Sequence, residues 1–156
     1  MSAAVLTMRP RGVTDEQAAL WEKISNWDLS RELLYMKNRV DGYANASEAF
    51  LQAMIAEYRR FMFLIAAYPD LKVPMGKRLD DMWHTAVLHS QNYIAFCKTV
   101  YSGGYIHHNP TISVEEDTAL WPDYVGVTLE LYRRHFGEPT AQFWDTQDVT
   151  TSCCTN

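Results

Sequence analysis

The sequence has few cysteines, and their spacing does not suggest pairing. Cys97, Cys153 and Cys154 are the three cysteines among 156 residues, and they form neither a CxxC pair nor a disulfide framework. A reducing compartment suits such a chain best, so we expect a cytoplasmic protein. The first residues also lack the cationic start and uninterrupted apolar run of a signal peptide.

Long apolar runs and clusters of basic residues are missing as well. The most apolar segment, Phe61 to Tyr68, is too short to cross a bilayer. The net charge is -5, and the basic residues are scattered in short pairs. Phosphate binding needs a concentrated cationic surface. We therefore expect neither a membrane nor a nucleic acid as partner.

The sequence contains no internal repeats, no low-complexity tracts and no alternating strand pattern of consequence. Apolar residues make up 47% of the chain and aromatic residues 13%, so a real hydrophobic core is expected. Apolar residues recur at helical spacing, which predicts an all-α fold, a single compact bundle of about five helices. We predict an extended lead-in at 1–13, one helical domain at 14–144 and a flexible tail at 145–156.

Capping residues and apolar spacing predict the limits of these helices. Thr14 is a helix-start residue with Gln17 at the capping-box position. The apolar pattern then predicts helices at about 15–24, 28–39, 48–68, 78–101 and 124–136. The segment before the last helix, rich in acidic residues and threonine, is predicted to be a loop. Tyr105 to Pro110 is predicted to be a short extended segment, because the residue before a proline disfavours helical geometry.

One stretch, Leu79 to Pro110, holds four of the five histidines and ends in a His-His-x-Pro segment. On one continuous helix at about 100° per residue, Asp80, His84 and Gln91 fall within roughly 40° of each other. The D-x-x-x-H spacing puts a carboxylate and an imidazole one turn apart. His89 falls far around the helix and is expected to be exposed.

This pattern is typical of a metal site, because neutral imidazole suits zinc, iron or copper and a carboxylate binds the ion or orients a ring. The missing ligands are His107 and His108, provided that the glycines before them fold the segment back over the helix. Neighbouring side chains of an extended chain point to opposite faces. We therefore expect one of the pair to bind and the other to support it.

The sequence thus predicts a small helical metalloprotein that is a metal-dependent enzyme acting on a small molecule or peptide. Redox chemistry on iron or copper is favoured over hydrolysis on zinc. The predicted metal ligands are His84, His107, His108 and Asp80; the predicted catalytic residues are Asp80, His84 and Gln91; and the predicted pocket walls are Trp83, Leu88 and Tyr105.

Two other interpretations stay open. In the first, His84 simply bonds to Asp80, while His107 and His108 anchor a loop in a non-catalytic module that binds a protein partner. In the second, the Asp80–His84 pair serves general acid–base catalysis without a metal.

Other candidates have simpler explanations. On the same continuous helix Cys97 lies about 140° from His84, so it is expected to be a buried structural thiol. Cys153 and Cys154 are a pair of thiols in a polar tail. His135 stands in the last turn of the final helix, where a cation favours the helix dipole.

A set of these residues resembles the glycine-rich domain-containing protein-like family. The pattern D-x-x-W-H-x-x-(I/V)-L…Y…C…G…H-H-x-P appears here as Asp80, Trp83, His84, Val87, Leu88, Tyr93, Cys97, Gly104, His107, His108 and Pro110. The resemblance covers about 68–139 and includes an FGEP sequence at its end that is similar to bacterial members. The glycine-rich tail of long plant members is absent, so the chain resembles the compact bacterial form. This resemblance supports the histidine site and implies no particular substrate.

Overall fold

The computed structural model describes residues 8–145 and, for the backbone, the strand Ser152–Thr155. Within this part of the chain the fold is all-α, as the sequence predicts. Its α-helices are α1 (Asp15–Ser25), α2 (Ser30–Arg39), α3 (Glu48–Ala67), α4 (Lys77–Leu88), α5 (Ser90–Val100), α6 (Val114–Asp123) and α7 (Glu130–Phe136). A π-helix, Tyr124–Leu129, joins α6 to α7 without a loop. The three short strands are β1 (Met75–Gly76), β2 (His108–Asn109) and β3 (Ser152–Thr155).

Helix α1 begins at the predicted cap Thr14, and α3 begins at a serine cap. The Thr14 side chain accepts a hydrogen bond from the backbone N–H of Gln17, and the Gln17 side chain accepts one from the N–H of Thr14, both at 3.1 Å. Ser47 caps α3 in the same way, accepting from the N–H of Phe50 at 3.1 Å. Two otherwise unsatisfied amides at the start of α1 are thereby paired.

Helix α3 is the centre of the bundle. It packs against α1, α4 and α7, and most of its side chains are buried, including Phe61, Met62 and Phe63 at 0% exposure. A helix that is apolar around most of its circumference must be enclosed on most sides. The rest of the fold, including the elements that carry the histidines, is arranged around it.

The prediction of one continuous helix from 78 to 101 is wrong. His89 separates α4 from α5 with φ -85° and ψ 58°, outside helical geometry. Its Nδ1 lies 2.8 Å from the main-chain oxygen of Thr85, so the imidazole donates to a carbonyl at the end of α4. The angular positions deduced for a single helix therefore do not hold beyond Leu88.

The prediction of a loop before the last helix is also wrong, because α6 occupies that segment. Ser113 caps it by accepting from the N–H of Glu116 at 3.2 Å, and three acidic residues follow in the first turn. Pro122 lies inside α6 and has no N–H to donate. The wider π-helix begins two residues later and continues the helical path into α7.

Strand β3 lies between the other two strands, in the order β1–β3–β2, with both pairings antiparallel. Ser152 pairs with Gly76 and Thr155 pairs with His108. The sheet therefore connects the residue just before α4 to the segment that carries His108. Strand β3 lies in the range 145–156; that this range is a flexible tail stays a prediction, and most of it lies outside the described residues.

Gly76 is a position where the fold leaves no room for a side chain. A Cβ atom there would lie 2.7 Å from both Asp145 Oδ2 and the Tyr124 hydroxyl. Glycine thus lets β1 approach these two buried groups at the start of α4. Among the described helices, none combines the length and apolar character that a bilayer crossing requires.

Candidate functional site

Three side chains that can bind a metal come together where α4 meets β2. Asp80 and His84 lie one turn apart on α4, and His108 reaches them from β2. One ligand atom from each lies within 4.8 Å of the other two. The i, i+4 spacing brings the first two together locally, whereas His108 arrives through the tertiary fold.

The three groups are within contact distance of one another. Asp80 Oδ2 lies 3.2 Å from His84 Nδ1, and Asp80 Oδ1 lies 3.0 Å from His108 Nε2. The two ring nitrogens are 3.4 Å apart. One carboxylate is thus flanked by two imidazoles, with both rings turned towards it.

Exposure to solvent falls steeply across this cluster. The side chain of His84 is 49% exposed, that of Asp80 is 19% exposed and that of His108 is only 5% exposed. Trp83, which is fully buried, stacks on the His108 ring with centroids 4.2 Å apart and planes 11° apart. The cluster therefore opens to solvent at His84 and is closed by Trp83 at His108.

One hydrogen bond indicates which ring nitrogen of His84 carries a proton. His84 Nδ1 is also 2.9 Å from the main-chain oxygen of Asp80. A carbonyl oxygen only accepts, so His84 Nδ1 carries a proton in this arrangement. His108 Nε2 lies 3.0 Å from Asp80 Oδ1, and its other ring nitrogen, Nδ1, is buried without a hydrogen-bond partner among the described residues.

A buried tyrosine supports the inner side of the cluster. The hydroxyl of Tyr93 accepts from the Trp83 indole N–H at 2.9 Å and donates to the main-chain oxygen of Ile106 at 2.6 Å. Burial is the main cause that raises the pKa of Tyr93 far above its ordinary value. The hydroxyl therefore stays protonated and keeps both hydrogen bonds at any ordinary pH.

Comparison with known proteins gives a family for the chain. Residues 22–120, more than half of the sequence, match the UCP032817-like family. The chain belongs to the UCP032817-like family. No curated protein and no solved structure matches the chain.

The segment that matches the UCP032817-like family contains the whole cluster. Asp80, His84 and His108 all lie inside it, as do Trp83 and Tyr93. The family description names no substrate and no reaction. The resemblance to the glycine-rich domain-containing protein-like family is not tested by this match.

The other predicted site residues lie around the cluster or away from it. His107 is exposed, and its ring packs edge-on against Tyr105 at 4.8 Å. Leu88 is 68% exposed, one turn after His84 on α4. Gln91 is exposed on α5, beyond the break at His89, so the reason for placing it beside His84 no longer applies.

Cys97 and His89 are packed within the fold, and the two other cysteines lie on a strand. Cys97 is buried, and burial raises the pKa of its thiol, which disfavours the reactive thiolate. His89 is partly buried rather than exposed, and its ring packs on Tyr35 at 5.2 Å. Cys153 and Cys154 belong to β3, whose backbone alone is described.

His135 lies in the last turn of the final helix, as predicted, and its ring also makes two hydrogen bonds to other parts of the fold. It is fully buried, with Nδ1 2.7 Å from the main-chain oxygen of Arg11 and Nε2 2.7 Å from the Tyr68 hydroxyl. Because the carbonyl must accept, Nδ1 donates to Arg11, and in the neutral ring Nε2 accepts from Tyr68. His135 thus ties the lead-in segment to the end of α3.

Proposed function

We propose that Asp80, His84 and His108 bind one divalent transition metal ion, and that the protein is a metal-dependent enzyme acting on a small molecule or peptide. Redox chemistry on iron or copper is the favoured class, ahead of hydrolysis on zinc. A reducing cytoplasm and kinship with the glycine-rich domain-containing protein-like family belong to the same proposal. Cys97, a free thiol, is compatible with such a compartment.

This proposal rests on the distances between the possible donor atoms. Two ligands bound about 2.1 Å from one ion at about 90 to 110° to each other are about 3.0 to 3.4 Å apart. His84 Nδ1 lies 3.2 Å from Asp80 Oδ2, His108 Nε2 lies 3.0 Å from Asp80 Oδ1, and the two ring nitrogens are 3.4 Å apart. An ion would therefore fit among these atoms once His84 Nδ1 gives up the proton that it donates to the Asp80 main-chain oxygen.

The donor set favours iron chemistry over other classes. Two imidazoles and one carboxylate with open positions are the arrangement of non-haem iron(II) oxygenases. Half of the His84 side chain faces solvent, so substrate or water has access to positions that the protein leaves open. Zinc would instead supply an activated water for hydrolysis at the same ligands.

Metal analysis of protein purified without a tag tests the proposal. After repletion with Fe²⁺ under anaerobic conditions, we expect about one ion per chain in the wild type. His84→Ala and His108→Ala should each lower the content to near background. His107→Ala is the matched control, because His107 neighbours His108 in sequence but lies outside the cluster.

Two results would contradict the proposal. One is a metal content far below one ion per chain after repletion with iron, copper and zinc in turn. The other is an equal loss of metal in the His107→Ala control and in the two ligand variants, which would assign the metal to a different site.

A second candidate is a non-catalytic helical module that binds a protein partner and in which the histidines are structural. The observation that favours it is the buried Nδ1 of His108, which has no acceptor among the described residues. When Nε2 binds a metal, the proton moves to Nδ1, and an unpaired buried N–H costs about 1–3 kcal/mol. This candidate predicts that His84→Ala and His108→Ala lower the stability without any change in metal content.

A further inference from the structure

We propose that Tyr93 is a positioning residue that fixes the orientation of His108 in the metal site. This inference rests on the proposed function for its effect on metal binding. Tyr93 does not reach the cluster itself; it acts through Trp83 and through the backbone that leads to His108.

One hydroxyl group serves both connections. Tyr93 is 3% exposed and lies on α5. Its oxygen accepts from the indole of Trp83 and its proton goes to the carbonyl of Ile106, two residues before His108. The same oxygen atom thus links the Trp83 indole, on which the His108 ring stacks, to the segment that carries His108.

Among the described residues, no hydrogen-bond acceptor holds the second ring nitrogen of His108. A metal-binding histidine ordinarily donates its second ring N–H to a carboxylate, a carbonyl or water, and this bond fixes the ring orientation. The second nitrogen of His108 has no such partner among the described residues. Stacking on Trp83 at 4.2 Å is therefore the contact that orients the inner face of the ring.

The geometry around Trp83 shows why the indole needs Tyr93. Trp83 also packs on Phe61 of α3 at 5.5 Å, and its indole N–H donates to the Tyr93 hydroxyl at 2.9 Å. Without the hydroxyl, the buried indole N–H and the Ile106 carbonyl would both lose a partner, which favours a local rearrangement.

The test compares Tyr93→Phe with Tyr132→Phe in the full-length protein. Tyr132 is a matched control, since it is also buried and its hydroxyl also makes one donated bond, to Glu57 at 2.7 Å, and one accepted bond, from Arg60 at 3.0 Å. Titration with Co²⁺ gives the dissociation constant and an absorption spectrum sensitive to coordination. We expect Tyr93→Phe to weaken Co²⁺ binding by about 10- to 100-fold, and Tyr132→Phe by less than about twofold.

A second measurement needs no metal. In the metal-free wild type, NMR should show a nuclear Overhauser effect between the stacked rings of Trp83 and His108, and Tyr93→Phe should weaken it while Tyr132→Phe leaves it unchanged. If Tyr93→Phe does not fold, Trp83→Phe removes the indole donor while keeping an aromatic ring, and a comparable loss of Co²⁺ affinity is expected.

The outcomes separate this inference from the proposed function. If the wild type binds no Co²⁺ but the ring contact is lost in Tyr93→Phe, the metal proposal fails and the positioning role of Tyr93 stands. If the ring contact and the Co²⁺ affinity are both unchanged in Tyr93→Phe, the positioning role is overturned. Equal losses of affinity in Tyr93→Phe and Tyr132→Phe would overturn it as well, because they would reflect general destabilisation.

Discussion

Asp145 is a buried acidic residue whose ionisation opposes folding. Burial is the main cause that raises the pKa of its carboxyl above the ordinary 3.8, and Arg78, with Nε 3.2 Å from Oδ1, acts in the opposite direction. The carboxyl also lies next to the Tyr124 hydroxyl, which accepts from the Asp145 N–H at 3.1 Å. The folded protein therefore holds this proton more tightly than the unfolded chain.

A pH-dependent loss of stability follows for this side chain. A carboxyl whose folded pKa is raised contributes stability below the unfolded value near 3.8, and this contribution is lost as pH rises through the folded pKa. Asp145→Asn cannot ionise and keeps an acceptor for Arg78. We expect the free energy of unfolding of Asp145→Asn, relative to wild type, to increase as pH rises from 3.8, measured by urea denaturation. If the free energies of unfolding of Asp145→Asn and wild type change equally with pH, the raised pKa of Asp145 is contradicted.

At the residue scale, local spacing predicts two of the three candidate metal ligands. Asp80 and His84 are one helical turn apart in any α-helix, so their proximity is readable from the sequence. The choice between His107 and His108 depends on how β2 meets α4, which is a tertiary property. The role of Tyr93 has no local pattern either, because one of its partners, Ile106, lies thirteen residues away.

At the scale of whole elements, α6 shows how a helix start can be mistaken for a loop. Acidic residues and threonine are common in loops, but negative charge in a first turn and a serine cap are also typical of a helix start. Pro122 lies inside α6 and does not end it. The break at His89 was not predicted, because histidine is not one of the residues that usually end a helix.

Removing the cap of α6 should destabilise the protein measurably. Ser113→Ala takes away the acceptor for the Glu116 N–H, and loss of such a cap costs about 0.5–2 kcal/mol. Ser90→Ala, at the first residue of α5, is the comparison variant, with an expected change below about 0.5 kcal/mol. Urea denaturation of both variants measures the difference, and equal free energies of unfolding would contradict the capping role.

On the scale of the whole molecule, one buried polar network joins α3, α7 and the segment after α7. Glu57 accepts from Arg60 at 2.6 Å, from Tyr132 at 2.7 Å and from the indole of Trp144 at 2.8 Å. The guanidinium of Arg60 also lies over the Phe136 ring at 5.5 Å. Both members of the ion pair are nearly fully buried, so the charge of each depends on the other.

Breaking this pair should cost far more than breaking a surface pair. Arg60→Met leaves the Glu57 carboxylate buried and uncompensated, which costs about 3–5 kcal/mol. Arg133→Met is the control, because its pairs with Glu130 and Glu138 are solvent-exposed and are worth about 0–1 kcal/mol. Chemical denaturation measures both. A similar loss in the two variants would show that the buried network is not a special source of stability.

The fold class was predictable because apolar spacing along the sequence reflects which helix faces are buried. The long apolar pattern of α3 identified the central helix, whose observed end at Ala67 is one residue from the predicted one. The three-stranded sheet was not predictable, because β1 and β2 contain two residues each and no alternation can appear over two residues. Glu57 and Arg60 could not be assigned as partners of Tyr132 without the packing of α3 on α7.

The difference in exposure across the cluster determines the order in which an incoming metal ion meets its three ligands. Any cation arriving from solvent meets His84 first, Asp80 next and His108 last, because only His84 has half of its surface in water. The first encounter should be fast and readily reversible. Capture by His108 comes last, because its side chain is nearly fully buried and is covered by Trp83. Association is therefore expected in two kinetic phases, and the slow inner step, rather than diffusion, would govern how long an ion stays bound.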